Sequence, residues 1–243
     1  MNEILPVDLL VTAAHADDIE LSCGGSIIRT VRAGGRVGIL DLTRGEMGTR
    51  GDAETRRSES LASAEVLGAT FRKSLDFGDG GMRTGAKEED ELIRIIRKCR
   101  PKIVIAPWPE ERHPDHVRTG RLVTDAWFYA GLEKRLPDLA PHRPDAVVYY
   151  LQNYIEHPSF VVDVTDVWEQ RMEAVRCYES QFWNPDSDEP ETFISRKSFI
   201  EMIEARARHF GALIGRDKGE AFLTQQPPMV DDIAGAYAGR EIH

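Results

Sequence analysis

The chain has 243 residues, 41% hydrophobic and 30% charged, which fits one globular domain over residues 1–243 with a core that needs no covalent cross-links. Its 31 basic against 41 acidic side chains leave a formal charge of −10, which argues against nonspecific nucleic-acid binding, since that rests on Lys and Arg neutralising phosphates. Cys23, Cys99 and Cys177 are too few and too scattered for a disulfide framework, and the start Met-Asn-Glu-Ile-Leu-Pro has no basic, apolar leader. No run nears the roughly 18 apolar residues of a membrane span. A cytoplasmic protein with no nucleic-acid or membrane partner is expected.

In chain order, residues 7–14 (VDLLVTAA) are a nearly continuous apolar run, as a strand buried on both faces requires. Residues 18–33 read as a helix halted by Gly34 and Gly35, and 36–43 (RVGILDLT) as a second buried strand. A Gly-rich loop over 44–52 leads to a helix over 53–67 that stops at Gly68. Residues 71–77 make a weaker strand, followed by a turn with Gly78, Gly80 and Gly81. The helix over 88–99 starts acidic and ends basic, which complements the helix dipole. Residues 102–107 (KIVIAP) are the clearest buried strand, and a Pro-bearing loop then leads to a helix over about 116–130. Strands are expected over 146–151 and 160–164, and helices over 166–181 and 198–214. The polar 183–192 segment (WNPDSDEPET) reads as a loop over a site, because helical patterning resumes at once; the tail beyond Gln226 has no firm pattern. Such strand–helix alternation predicts an α/β fold, a Rossmann-like three-layer α/β/α arrangement around a mainly parallel sheet.

Two motifs stand directly after buried strands: His15-Ala16-Asp17-Asp18-Ile19-Glu20 and His113-Pro114-Asp115-His116. In an open parallel sheet, ligands bind outside the carboxyl ends of the strands, where distant loops converge. Catalytic zinc is commonly held by three nitrogen or oxygen groups with one position left for water, and His15, Asp18 and His116 supply such a set. A metal there lowers the pKa of the water and polarises an amide carbonyl. Asp17 lies beside the ligands, where a general base belongs. His113, three residues before His116, can reach the oxyanion or the leaving amine, and Asp115 is placed to hold a histidine's second nitrogen. Taken singly, each motif also reads as helix capping. Their occurrence together at two strand ends favours the metal site.

The two motifs resemble the signatures of the LmbE/PIG-L family of zinc-dependent N-deacetylases, a Pro-His-Pro-Asp-Asp-Glu-like segment and a His-Pro-Asp-His segment. Within it the chain is most similar to the bacillithiol-biosynthesis deacetylases. The similarity includes Asp41-Leu42-Thr43, the loop over 45–51, Arg56, Ala106-Pro107, Tyr178-Glu179-Ser180-Gln181-Phe182, Glu204-Ala205-Arg206, Gly211 and Gly219-Glu220-Ala221-Phe222. The resemblance implies that His15, Asp18 and His116 bind one zinc ion, for which iron(II) is the alternative. It implies Asp17 as base, His113 as oxyanion stabiliser or amine acid, and Arg56 as a substrate contact. It further implies hydrolysis of N-acetyl-glucosaminyl-malate to glucosaminyl-malate and acetate by a cytoplasmic homo-oligomer, a hexamer in the fullest form of the expectation. The sequence departs from the general pattern where Ala14 and Ala16 replace prolines and Ile19 precedes Glu20, which leaves Glu20 only a helix-supporting role.

Rival readings are a related amidase or deacetylase for a thiol conjugate, chitooligosaccharide or glycosylated antibiotic, an iron(II) oxygenase on the same two-His-one-carboxylate set, and a metal- or sugar-binding module without turnover. Arg44 and Arg50 join Arg56 as candidates to receive a malate carboxylate. Trp108 reads either as a sugar-stacking face or as packing under its loop, and Asn153 and His157 as candidates to line the site. His142, His209 and His243 have no supporting context. No phosphate-binding Gly fingerprint follows a strand, so a nucleotide cofactor is not expected.

Overall fold

The computed structural model describes residues 3–185 and 187–237. Seven strands form one sheet: β1 (Leu9–Ala13), β2 (Val37–Asp41), β3 (Phe71–Ser74), β4 (Ile103–Pro107), β5 (Ala146–Tyr150), β6 (Phe160–Asp163) and β7 (Gly219–Thr224). Their order is β3-β2-β1-β4-β5-β7-β6. The first five pair in parallel, and β7 runs antiparallel to both β5 and β6. Central strands read as apolar runs because both faces are covered. Leu9, Val11 and Ala13 of β1 enter one core, against α1 (Asp18–Ser22), α2 (Gly24–Arg32), α6 (Trp168–Arg176) and α7 (Lys197–Ala212). Leu10 enters the other, against α4 (Ala86–Cys99) and α5 (Pro114–Ala130). The expected three-layer α/β fold is therefore the observed one. Among the described residues no helix is long and apolar enough to cross a membrane.

The helix α3 (Ala53–Leu67) has the expected bounds, with Asp52 capping its start and Gly68 at φ 74 ending it in the left-handed region. Two expectations need correction, and the structure adds one strand. The helix expected over 18–33 is two helices broken at Cys23, because α2 is capped from elsewhere: the Glu220 carboxylate accepts the N–H of Gly25 (2.8 Å) and Ser26 (2.7 Å) and the Ser26 hydroxyl. A Cβ at Gly25 would stand 2.7 Å from the Val164 side chain, so only glycine lets the end of β6 approach the new helix start this closely. The helix expected over 166–181 is a 3-10 turn (Thr165–Val167) followed by α6, which ends at Arg176. Strand β7 had no forecast, since GEAFLT carries a buried Glu220 and no long apolar run. A short helix, α8 (Ile233–Tyr237), lies in the unpatterned tail.

Candidate metal centre and active site

From β1 the chain moves to β2 on one side and later returns to β4 on the other. Loops leaving β1 and β4 therefore diverge and open a crevice at their carboxyl ends, the place where open α/β sheets bind ligands. His15 lies just past Ala13 of β1; His113 and His116 lie at the start of α5, which follows β4. Their rings meet in that crevice. The centroids are 5.5 Å apart for His15 and His116, 4.8 Å for His15 and His113, and 4.9 Å for His113 and His116.

Asp18 stands among these rings. One carboxylate oxygen is 3.1 Å from His116 Nε2 and accepts from Gln152 Nε2 at 3.0 Å. The other is 3.5 Å from His15 Nδ1 and accepts the His15 backbone N–H at 2.9 Å. Burial opposes the charge on Asp18, but the charges of His116 and His15 and their hydrogen bonds hold its carboxyl well below the usual range. His116 Nδ1 is buried without a hydrogen-bond partner among the described residues. On the far side of His15, Nε2 lies 3.1 Å from Asp79 Oδ1 and 3.8 Å from Asp115 Oδ2. Burial works against a charge on His15, but Asp115, Asp18 and Asp79 outweigh it and raise its pKa well above the ordinary imidazole value. Asp115 is fixed in turn by Gly80 N–H (2.8 Å) and Arg118 (2.8 Å).

Asp17 is the N-cap residue of α1 at φ 129, a conformation that costs a non-glycine residue about 1–3 kcal/mol. Its side chain makes no capping hydrogen bond. Instead it lines the cavity and meets Arg56 Nη2 at 3.2 Å. Burial pushes its carboxyl up to about 7, against the pull of the Arg56 charge. Arg56 also donates to the Ala16 carbonyl and, at 3.0 Å, to Gln181 Oε1. His113 caps α5: its Nδ1 accepts the Asp115 N–H at 3.2 Å, with Pro114 opening the first turn. A neutral ring whose Nδ1 accepts must carry its proton on Nε2. Burial and the neighbouring charges of His15 and His116 lower the His113 pKa and favour that neutral form.

The cavity over these groups holds about 360 Å³, and Thr192, Phe193 and Ile194, at the end of the polar loop and just beyond it, form part of its wall. Asn153 lines it as well, with its N–H held by Glu111 at 2.7 Å. Other candidates lie differently. Arg50 lines the cavity but is buried and engaged by Glu189 (3.3 Å) and Ser187 (2.7 Å). Arg44 lines a separate cavity and pairs with Asp76 at 3.2 Å. Trp108 packs edge-on against Tyr149, and His157 is exposed outside the cavity wall. His142 contacts the Pro101 carbonyl, His209 packs on Phe210, and His243 lies outside the described residues. Glu20 does more than support its helix: with Arg72 (2.6 Å), Ser63 (2.6 Å) and Tyr178 (3.1 Å) it ties α1 to β3 and α3 beneath the motif.

Asp79 and Gln152 were missed from sequence. The available signal for Asp79 was a lone acid among glycines in a turn after a strand, the same position relative to β3 that the two motifs hold relative to β1 and β4. Gln152 carried no signal beyond following β5.

Known proteins share this arrangement of sequence and fold. The PIG-L family, described as GlcNAc-PI de-N-acetylase, matches residues 10–127, which contain both motifs. The diacetylchitobiose deacetylase of Thermococcus kodakarensis is 38% identical over 190 residues, covering 72% of this chain and 70% of that one. The 4-oxalmesaconate hydratase of Pseudomonas putida is 26% identical over 196 residues, covering 71% of this chain and 73% of that one. The crystal structure of a conserved protein from Thermus thermophilus superposes with a TM-score of 0.84 at 37% identity, over 92% of this chain and 97% of that one. With both histidine motifs inside the match and a relative this similar over most of its length, the chain belongs to the PIG-L family.

Proposed function

We propose that this chain is a metal-dependent N-deacetylase that hydrolyses the acetamide of a small molecule containing N-acetylglucosamine. The observation that carries this reading is the meeting of His15, Asp18 and His116 in one crevice with Asp17 beside them, its carboxylate hydrogen-bonded among the described residues to Arg56 alone. The donor set fits a cation: an ionised carboxylate lies against two imidazoles, and His116 has a buried unpaired nitrogen. The second nitrogen of His15 is held by carboxylates, as it is in metal-ligating histidines generally. His15, Asp18 and His116 would hold the ion, and nitrogen and oxygen donors suit zinc or iron(II). When bound, such an ion polarises a carbonyl and acidifies water.

The chain's own residues do the rest. Asp17, fixed by Arg56, takes a proton from the water that adds to the acetyl carbon. His113, with Nδ1 spent on the helix cap, offers Nε2–H to the developing oxyanion or to the departing nitrogen. The C–N bond breaks, the amine takes up the proton, and acetate leaves. A second ligand set has one observation in its favour, since nitrogens of His15, His113 and His116 all lie within 4.8 Å of one another. His113→Ala separates the two: metal content is retained in the proposed assignment and lost in the other.

Two substrates fit this reading. The Thermococcus relative supports diacetylchitobiose. The resemblance to bacillithiol-type enzymes points to N-acetyl-glucosaminyl-malate, and Arg112 at the cavity wall, exposed and over the Phe193 ring at 5.7 Å, has no carboxylate partner among the described residues and is free to meet malate. Acetate release is to be measured from both and from N-acetylglucosamine, with and without a chelator. Chelator-sensitive release from at least one is expected, and none from all three with zinc or iron(II) supplied overturns the proposal. The Pseudomonas relative supports a hydratase reading, which gains only if the protein hydrates 4-oxalmesaconate and releases no acetate.

A further inference from the structure

A second cavity, about 270 Å³, lies between α3 and the edge strand β3, behind Arg56. Five cationic residues line it (Arg44, Arg56, Arg57, Arg72 and Lys73), and among the described residues no carboxylate does. In a chain with ten more acidic than basic side chains, such a concentration needs a reason. Arg72 has one: Asp41 takes its Nε and Nη2 at 2.8 Å, and Glu20 takes its Nη1 at 2.6 Å, so it is scaffold. Arg56 is largely committed as well, through Nη1 to Gln181 and through Nη2 to Ala16 and Asp17, whereas Arg44, Arg57 and Lys73 have no buried carboxylate partner among the described residues. Arg56 is only 5% exposed, yet its Nε has no hydrogen-bond partner. Lys73 is half-buried and has no ion pair among the described residues. Arg44 and Arg57 each meet one exposed carboxylate, Asp76 at 3.2 Å and Glu54 at 3.8 Å. Exposed pairs of this kind are worth little and re-form at small cost.

We propose that this cavity is a binding site for a phosphate group, distinct from the metal centre. A buried donor left unmade is expensive, and an anion on the cavity side of Arg56 would satisfy it. Four cations around one small volume exceed what a single carboxylate needs and match a dianionic tetrahedral group, for which Arg and Lys are the usual receptors. The volume and the apolar wall of Ala53 and Leu61 leave room for a body attached to the phosphate. Inorganic phosphate and the phosphoryl group of a phosphorylated sugar share this chemistry. Arg56 joins the two cavities, since its Nη2 holds Asp17 while its Nε faces no partner. Occupancy therefore acts on Asp17 through one guanidinium, and phosphate alters turnover without competing with the amide substrate.

The test is calorimetric titration of the metal-loaded protein at low salt with inorganic phosphate, glucosamine 6-phosphate and glucosamine. Lys73→Ala and Arg57→Ala each weaken phosphate binding by about tenfold, while acetate release in phosphate-free buffer stays at the wild-type level. Tighter binding of glucosamine 6-phosphate than of phosphate identifies a phosphorylated sugar as the ligand, and equal binding identifies the free ion. No binding of either by the wild type, or phosphate affinity unchanged in both variants, overturns the site. Acetate release in phosphate-free buffer tests the deacetylase reading separately, so the two can fail independently.

Discussion

Asp17 holds a strained backbone conformation and a buried carboxylate, and neither brings it a capping hydrogen bond. Strain without a local return is what a residue retained for chemistry looks like. Asp17→Asn keeps the shape and removes the proposed base; turnover should fall by roughly 10²- to 10⁴-fold while metal content is unchanged, measured by acetate release beside metal analysis. Asp79 acts at one remove, through His15 Nε2. Asp79→Asn should weaken metal affinity by about 10- to 100-fold in a chelator competition, and unaltered affinity takes Asp79 out of that role. The His15 and His113 motifs were legible because ligand chemistry imposes residue types at short spacing. Asp79 was not legible as a site residue, because a single acid in a glycine turn has many uses and only its neighbour in space selects one.

Helix α3 carries Arg56 into both cavities, so its start fixes a good deal. Asp52 Oδ1 accepts the Thr55 N–H at 2.7 Å, and this hydrogen bond holds the Asp52 carboxyl below its ordinary value of 3.8. A depressed folded-state pKa gives stability that is present above the unfolded value and lost as pH falls through the folded one. Asp52→Ala should therefore lower the thermal midpoint by about 2–4 °C near neutral pH. The difference should close as pH falls through the lowered titration of the Asp52 carboxyl, and a pH-independent difference would show that the cap works through something other than its charge. The end of α3 was readable from sequence because Gly68 acts within one turn, and the structure adds the Asp52 cap at its start. The break at Cys23 was not, because the group that caps α2 comes from β7.

Across the whole molecule, β7 ties the site to the rest of the fold. Glu220 caps α2 and lies 3.0 Å from Arg171 Nε, a charge contact not aligned as a hydrogen bond. Arg171 donates to the Leu21 carbonyl at 2.7 Å, and Arg206 donates to the carbonyls of Leu21 and Gln152. Gln152 then holds Asp18. Removing one member of a buried ion pair leaves the other charge uncompensated, so Glu220→Ala should cost about 3–5 kcal/mol in denaturant unfolding, with an unchanged slope. A loss below about 1 kcal/mol would mean that Arg171 has a route to water and that the network contributes little.

By itself the sequence determined which stretches are buried strands, where α3 begins and ends, and that two histidine motifs stand at strand ends as candidates for one site. These follow from local rules: the period of apolar residues, the chemistry of caps and the donor types a cation accepts. Only the tertiary structure decided that Asp79 and Gln152 join the site, that Arg50 is diverted to Glu189 and Arg44 to a second cavity, and that β7 enters between β5 and β6. The physical reason is that a charged side chain takes its role from whichever partner the strand order brings within hydrogen-bond reach, and that partner stands far away in the chain.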